Sequence, residues 1–195
     1  MENKLLIKLL IIGDGCVGKS TYIRRLLTGE FERHYIATNG VVQHKLNYYS
    51  NYGKIEFLLC DVASKQECIT NECYKDLDGI IIMFDVTSKD SFLNIQKWQK
   101  ECEKECKNVP IFFCGNKIDI RDRKVTVKDI KMHNILPYCD MSAKSNYNFE
   151  EPLLYFSQLC TGNKDLIFVE APPIVPPNVQ IGEDEMDQYL MEEDN

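Results

Sequence analysis

The sequence of 195 residues predicts a doubly wound α/β domain with a mainly parallel, six-stranded sheet and helices on both faces. Two observations carry this prediction. Apolar runs of strand length recur along the chain and end before Gly, Asp or Asn, as buried parallel strands do. Stretches with helical spacing alternate with these runs, and strands that alternate with helices favour a parallel sheet.

The apolar runs predict five of these strands, at residues 5–12, 41–49, 55–59, 80–84 and 111–114. The run at 41–49 is looser than the others, which fits a strand with one exposed face. Helical spacing links two sets of residues, namely Phe92, Ile95, Gln99, Cys102 and Cys106, and Phe149, Leu153, Phe156 and Leu159. Sheets of this kind bind ligands at the carboxyl ends of their strands, so a site is predicted there.

The composition changes near the C-terminus. Residues 171–177 read Ala-Pro-Pro-Ile-Val-Pro-Pro, which cannot continue a helix. Residues 183–195 hold seven acidic side chains and no Lys or Arg. We therefore predict a domain at residues 1–165, followed at residues 166–195 by a proline-containing linker and an acidic tail.

The charge and the cysteines restrict the class of protein. The net charge of −7 belongs to the acidic tail, since the rest of the chain carries equal numbers of acidic and basic residues. Such a neutral domain gives no support for nucleic-acid binding. Nine cysteines without a secretion signal favour a reducing compartment. No membrane span and no lipidation signal is recognised, so no membrane anchor is expected. The protein is also expected to be a monomer.

A glycine-rich loop follows the first predicted strand. Residues 13–20 read Gly-Asp-Gly-Cys-Val-Gly-Lys-Ser, which matches the phosphate-binding pattern G-x-x-x-x-G-K-[ST]. In such a loop the backbone N–H groups face phosphate oxygens, the lysine reaches the β and γ phosphates, and the serine binds Mg²⁺. The predicted nucleotide contacts here are Asp14, Gly15, Cys16, Val17, Gly18, Lys19, Ser20 and Thr21.

Two further motifs predict a guanine site. Asn116, Lys117 and Asp119 follow the strand at 111–114. The Asp119 carboxylate is suited to accept hydrogen bonds from the ring N–H and the exocyclic amine of guanine, a pair that adenine lacks. An ATP-using enzyme with a phosphate-binding loop is therefore disfavoured. Ser142, Ala143 and Lys144 are predicted on the other side of the base, with the backbone N–H of Ala143 meeting the guanine carbonyl oxygen.

In this order and spacing, the motifs resemble those of the small GTPases. Several segments are similar to the Ran family of nuclear-transport GTPases, at residues 27–32, 35–38, 81–86 and 114–120. The most specific is Ser-Ala-Lys-Ser-Asn-Tyr-Asn-Phe-Glu at residues 142–150, which is longer than guanine binding requires. The proline-containing linker and the acidic terminus also look like those of Ran.

This resemblance implies a G domain that binds GTP or GDP with Mg²⁺. Thr38 is similar to the threonine that contacts Mg²⁺ and the γ-phosphate, and Asp61 matches the carboxylate that holds Mg²⁺. With Ser20 they form the predicted metal site. The resemblance further implies a location in nucleus and cytoplasm. The implied partners are importin- and exportin-type transport receptors, proteins like the Ran-binding domain, an exchange factor and a GTPase-activating protein.

The segment after Asp61 departs from the family pattern. Relatives continue with Thr-Ala-Gly-Gln-Glu, whereas residues 62–67 here read Val-Ala-Ser-Lys-Gln-Glu. Aligned without a gap, Ser64 replaces the glycine that meets the γ-phosphate, and Lys65 replaces the catalytic glutamine. Aligned with one inserted residue, Gln66 is that glutamine, displaced along the loop. Both alignments remain open.

Either alignment predicts slow hydrolysis of GTP. The glutamine orients the attacking water, and a lysine has no acceptor for that task. A displacement of about one ångström costs on the order of a hundredfold in rate, so a shifted Gln66 is a poor substitute. The chain is thus predicted to be a GTPase with low intrinsic activity. The alternative is an adaptor or decoy that stays GTP-bound and occupies transport receptors without cycling.

Overall fold

The computed structural model describes residues 5–31, 38, 40–62 and 71–170, except the side chains of Asn71 and Glu72. Its strands are β1 Leu5–Ile12, β2 Val41–Ser50, β3 Gly53–Val62, β4 Gly79–Asp85, β5 Ile111–Asn116, β6 Tyr138–Asp140 and β7 Phe168–Val169. Its helices are α1 Lys19–Thr28, α2 Lys89–Leu93, α3 Ile95–Glu105, α4 Val127–Met132 and α5 Glu151–Thr161, with a 3₁₀ turn at Asn71–Tyr74. Ser64, Lys65, Gln66 and residues 171–195 lie outside the described part.

The strands form one mixed sheet in the order β6-β5-β4-β1-β3-β2-β7. β1 runs parallel to β3 and β4, and β5 runs parallel to β4 and β6. β2 is antiparallel to β3 and β7. The predicted α/β class is confirmed, but the sheet has seven strands where six were predicted. The additional strand is β7, whose two residues are too few to show a period in the sequence.

Each face of the sheet buries its own core, because side chains alternate along a strand. β1 shows this directly, since Leu9 faces one core and Leu10 the other, and both are fully buried. The first core includes Tyr22 of α1 and Phe156 of α5. The second includes Trp98 of α3. Helices therefore cover both faces, as the sequence predicted.

Two of the predicted helical segments differ in detail. The segment from Phe92 to Cys106 is two helices, α2 and α3, which meet at Asn94. α2 is a short helix whose start is capped by the Ser88 hydroxyl, and α3 ends before Cys106. In the last helix, Phe149 precedes the first residue of α5 and Leu159 is 49% exposed. Periodicity alone does not mark such caps or joints, because they depend on individual hydrogen bonds.

α4 and β6 were not predicted by residue range, since both are short. α4 has six residues, and its start is fixed by a capping box between Thr126 and Asp129. β6 has three residues and pairs with β5.

Packing continues past residue 165. Leu166 is fully buried in the first core, and the ring of Phe168 lies 4.5 Å from that of Tyr48 between ring centroids. The Asn51 side chain also bonds the backbone of Asp165 and Ile167. The division into domain and tail stays a prediction, with these residues attached to the domain. In the described part, no helix combines the length and apolar character required to cross a bilayer.

Candidate functional site

The predicted site residues meet at one edge of the sheet. The loop at residues 13–18 joins β1 to α1, Asp61 lies near the end of β3, and Asn116 ends β5. The loop after β6 carries Ser142 and Ala143. Because these strands are parallel, their carboxyl ends lie side by side and bring the loops together.

Two positions in the loop at 13–18 require glycine. Gly13 has φ +140°, and a Cβ there would lie 2.1 Å from the backbone oxygen of Met83. Gly18 has φ +101°, and a Cβ there would lie 2.4 Å from Nδ2 of Asn116. The backbone of this loop is therefore packed directly against β4 and against the Asn116 side chain at the end of β5. Gly15 and Cys16, between them, are exposed.

Lys19 is held inside this loop. The residue is 6% exposed, and its Nζ donates to the backbone oxygens of Gly13 and Asp14, each at 2.8 Å. Burial lowers the pKa of Lys19, while the carboxylates of Asp61 and Asp14 act in the opposite direction. A buried ammonium among backbone carbonyls is well placed to bind an anionic group that enters the loop. Thr21, also predicted, is the third residue of α1 and is half-buried.

The three predicted metal ligands lie together. The hydroxyls of Ser20 and Thr38 share a hydrogen bond of 2.8 Å, and Thr38 Oγ1 donates to Asp61 Oδ2 at 3.3 Å. Asp61 is 3% exposed, and its Oδ1 is buried without a hydrogen-bond partner among the described residues. An orphaned carboxylate oxygen beside two hydroxyls fits Mg²⁺, which prefers oxygen ligands. Elsewhere in the described ranges no three His, Cys, Asp or Glu side chains form a metal cluster.

Asn116 joins the phosphate-binding loop to the loop after β6. Its Nδ2 donates to the backbone oxygen of Val17 at 2.9 Å, and its Oδ1 accepts from the backbone N–H of Ala143 at 3.1 Å. The side chain is buried, so both contacts are shielded from water. Asn116 thus holds the loops together, and its own side chain is already satisfied by the protein.

Asp119 is prepared to accept hydrogen bonds. Ser142 Oγ donates to its Oδ1 at 2.7 Å, and Lys144 Nζ lies 3.5 Å from its Oδ2. The Asp119 side chain is 16% exposed, whereas that of Lys144 is 53% exposed. The backbone N–H of Ser145 in turn donates to Ser142 Oγ. Oδ1 of Asp119 is therefore held by the neutral hydroxyl of Ser142, and Oδ2 lies near the ammonium of the exposed Lys144 side chain.

In a comparison with models of protein families, the model of the Ras family matches residues 8–161 of the chain.

The chain belongs to the Ras family.

Ras-family proteins are small GTP-binding switches, and they bind GTP or GDP with Mg²⁺. In this Ras-family domain, the residues from Gly13 to Ser20 would hold the phosphates, with Ser20, Thr38 and Asp61 as ligands of the cation. Asp119 would select the base. When bound, Mg²⁺ would neutralise phosphate charge. Ser64, Lys65 and Gln66, the other predicted contacts near the γ-phosphate, lie outside the described residues.

Asp85 is a further site residue that the sequence did not reveal. Its Oδ2 lies 2.6 Å from Nζ of Lys117, and its Oδ1 accepts from the backbone and the hydroxyl of Thr87. Asp85 is 8% exposed, so this carboxylate fixes the lysine of the guanine motif from inside the domain. The available signal was its position at the end of a strand, directly after an apolar run.

Arg123 and Asp140 link the two segments that carry the predicted base contacts. The guanidinium donates to both carboxylate oxygens, at 2.8 and 2.9 Å. These bonds raise the pKa of Arg123. The Tyr138 hydroxyl donates to the same carboxylate, and burial raises the pKa of that tyrosine. The ion pair of Arg123 and Asp140 connects the segment after β5 to β6. No sequence motif predicts this ion pair.

Proposed function

We propose that this Ras-family switch is of the Ran type, acting in transport between nucleus and cytoplasm, with slow intrinsic hydrolysis of GTP. The longer segments that resemble Ran support the transport role, above all residues 142–150. In the structure that segment forms a loop directly after β6 that folds back on itself. Asn148 Nδ2 donates to the backbone oxygen of Asp140, and Ser142 pairs with Tyr147 as an isolated bridge. Its partners would be transport receptors, Ran-binding-domain-like proteins, an exchange factor and a GTPase-activating protein.

The contrast on either side of Asp61 carries the proposal of slow hydrolysis. Asp61 of β3 matches the family, and it lies beside Ser20 and Thr38 as a cation ligand should. From residue 62 onward the sequence lacks the Thr-Ala-Gly-Gln-Glu of its relatives. Binding groups are therefore retained, while the groups that orient the attacking water are replaced or displaced. Contacts that bind GTP equally well in the ground state and in the transition state leave the barrier to its hydrolysis unchanged.

Single-turnover hydrolysis tests this directly. Protein loaded with GTP is expected to release phosphate slowly, and Lys65→Gln is expected to raise the rate by about tenfold or more, since a positioned base or orienting group contributes roughly 10²–10⁴-fold. The measurement is phosphate release from purified, preloaded protein with Mg²⁺.

Gln66→Ala is the matched control, and it separates the two alignments. If Lys65 occupies the catalytic position, Gln66→Ala leaves the rate unchanged. If Gln66 retains a displaced catalytic role, Gln66→Ala lowers the rate and Lys65→Gln has little effect. Fast hydrolysis by the unaltered protein, not increased by Lys65→Gln, would contradict the proposal.

The second candidate is a non-cycling adaptor or decoy, which the same segment favours. Denaturing the purified protein and identifying the released nucleotide distinguishes the two. Bound GTP supports slow hydrolysis and agrees with either candidate, whereas bound GDP shows that hydrolysis proceeds and excludes the non-cycling adaptor. If GTP is found, addition of a GTPase-activating protein separates the candidates, because only a cycling switch is then converted to the GDP form.

Binding to an importin-β-type receptor tests the transport role. The GTP-loaded protein is expected to bind at least about tenfold more tightly than the GDP-loaded protein, because partners of such switches read segments ordered by the γ-phosphate. The measurement is a titration of receptor against each loaded form, and the GDP form is the matched control. Equal affinity, or no binding in either form, would refute a Ran-type role while leaving nucleotide binding intact.

A further inference from the structure

We propose that α3 controls how tightly the nucleotide is held, with Trp98 and Asn94 acting as positioning residues on the Asp14 carboxylate. Trp98 Nε1 donates to Asp14 Oδ1 at 2.8 Å. Asn94 Nδ2 donates to Asp14 Oδ2 at 2.7 Å. Each carboxylate oxygen thus accepts one N–H from α3 or from its cap. The inference rests on nucleotide binding at the loop of residues 13–18 and is independent of the transport role and of the hydrolysis rate.

Asn94 and Trp98 lie one helical turn apart at the start of α3. Asn94 stands between the last residue of α2 and the first residue of α3, and the backbone N–H of Trp98 donates to the Asn94 backbone oxygen at 3.1 Å. Residues four apart on a helix lie on the same face, so both side chains reach the same carboxylate.

Asp14 connects the donors of α3 to Lys19. Its carboxylate is held by α3, while its backbone oxygen accepts from Lys19 Nζ at 2.8 Å. The same carboxylate favours the charged form of the buried Lys19 ammonium. Two groups that act on Lys19 are therefore held in place together. One is the Asp14 backbone oxygen, which accepts its hydrogen bond, and the other is the Asp14 carboxylate, whose charge offsets that of the ammonium.

The N–H donors of Trp98 and Asn94 also hold the negatively charged carboxylate of Asp14 in place. Asp14 lies in a loop that receives phosphate groups, and a carboxylate free to approach phosphates would repel them. Neutral N–H donors hold it without adding a charge of their own. Hydrogen bonds to an ionised acceptor are stronger than those between neutral groups, so the restraint is substantial. Loss of either donor is expected to loosen the loop and to speed the release of nucleotide.

Trp98→Phe removes the hydrogen bond to Asp14 while an aromatic ring still fills most of the core position. Trp98 is 3% exposed and packs in the second core, and Phe retains an aromatic ring there while removing the N–H donor. Release of a fluorescent GDP analogue is expected to become about tenfold faster, the size expected for one lost hydrogen bond to a charged group. Lys97→Ala, at an exposed neighbour on the same helix, is the control and is expected to leave the release rate unchanged.

A double-mutant cycle shows whether the effect passes through Asp14. In an Asp14→Ala background, Trp98→Phe is expected to cause no further change, because the acceptor is gone. An equal acceleration in both backgrounds would assign Trp98 to packing alone and overturn the proposal. So would an unchanged release rate in Trp98→Phe. Absence of GDP binding by the unaltered protein would instead refute nucleotide binding itself, so the two failures are distinguishable.

Asn94 supplies a second test that does not touch the core, since its side chain is exposed. Asn94→Ala is expected to accelerate release, and Asn94→Asp to accelerate it further, because a carboxylate would then face the Asp14 carboxylate. If Asn94→Asp released GDP no faster than the unaltered protein, the proposal would be overturned.

Fluorescence gives a further readout of the surroundings of Trp98. Trp98 is the one tryptophan of the chain, so tryptophan emission comes from this side chain. Asp14→Ala is expected to shift the emission, since it removes the hydrogen-bond acceptor of the indole N–H. An emission spectrum unaffected by Asp14→Ala would count against the contact.

Discussion

Asp119→Ala is expected to lower the affinity for GTP by about 10²- to 10⁴-fold. The carboxylate would accept two hydrogen bonds from guanine, each to a charged acceptor and each contributing about 1.5–3 kcal/mol. The sum is about 3–6 kcal/mol, and 1.4 kcal/mol corresponds to tenfold. The carboxylate keeps acceptor capacity for guanine, because Ser142 Oγ uses only one of its lone pairs and the Lys144 ammonium 3.5 Å away is on an exposed side chain. Equilibrium titration with a fluorescent GTP analogue measures the loss.

Two control variants check that guanine is what Asp119 reads. Lys144→Ala is expected to change affinity by less than about tenfold, since an exposed ion pair contributes little. Asp119→Asn is expected to shift preference from guanine towards xanthine nucleotides, because the amide N–H₂ can donate to the additional carbonyl oxygen of xanthine. If Asp119→Ala bound GTP as tightly as the unaltered protein, the predicted base site would be wrong.

Lys19→Met is expected to lower the affinity for GTP by more than about a hundredfold, because it removes an ammonium that would contact two phosphates through charge-assisted bonds. The fold is expected to persist. Met is of similar length and occupies the buried position without the desolvation of a charge, which is what lowers the pKa of Lys19. Titration with a GTP analogue measures the affinity, and thermal unfolding of the nucleotide-free protein measures the stability.

Lys8→Met is the matched control for this variant. Lys8 is a half-buried lysine of the same strand–loop–helix unit, but its Nζ donates to the backbone oxygen of Lys75. Its removal is expected to leave the affinity for GTP unchanged. An equal loss of affinity in both variants would mean that the effect comes from general destabilisation, and a tight-binding Lys19→Met protein would contradict the phosphate role of Lys19.

The sequence by itself determined the parts of the site that lie within a few residues of one another. Gly13, Gly18, Lys19 and Ser20 are recognisable because one loop must supply small residues, a cation and a hydroxyl at set distances along the backbone. The Asp119 motif is readable for the same reason. The α/β class followed from buried strands that alternate with helices, and β1 has the predicted bounds.

Short elements and joints were not readable from the sequence. β6 and β7 have three and two residues, too few for a period. The break at Asn94 depends on capping bonds of the backbone, which an apolar pattern does not record.

The tertiary structure alone decided which distant side chains support the site. Asp14 meets Trp98, 84 positions away, and Asn116 meets Val17, 99 positions away. The second contact exists because parallel strands, separated along the chain by helices, end side by side at one edge of the sheet. The first exists because α3 packs on the sheet, with Trp98 in the same core as Leu10 and Ile12 of β1. The sequence names the groups that would touch the nucleotide. The packing of helices on the sheet decides what holds those groups in place, because hydrogen bonds between distant residues require the fold to bring both partners within reach.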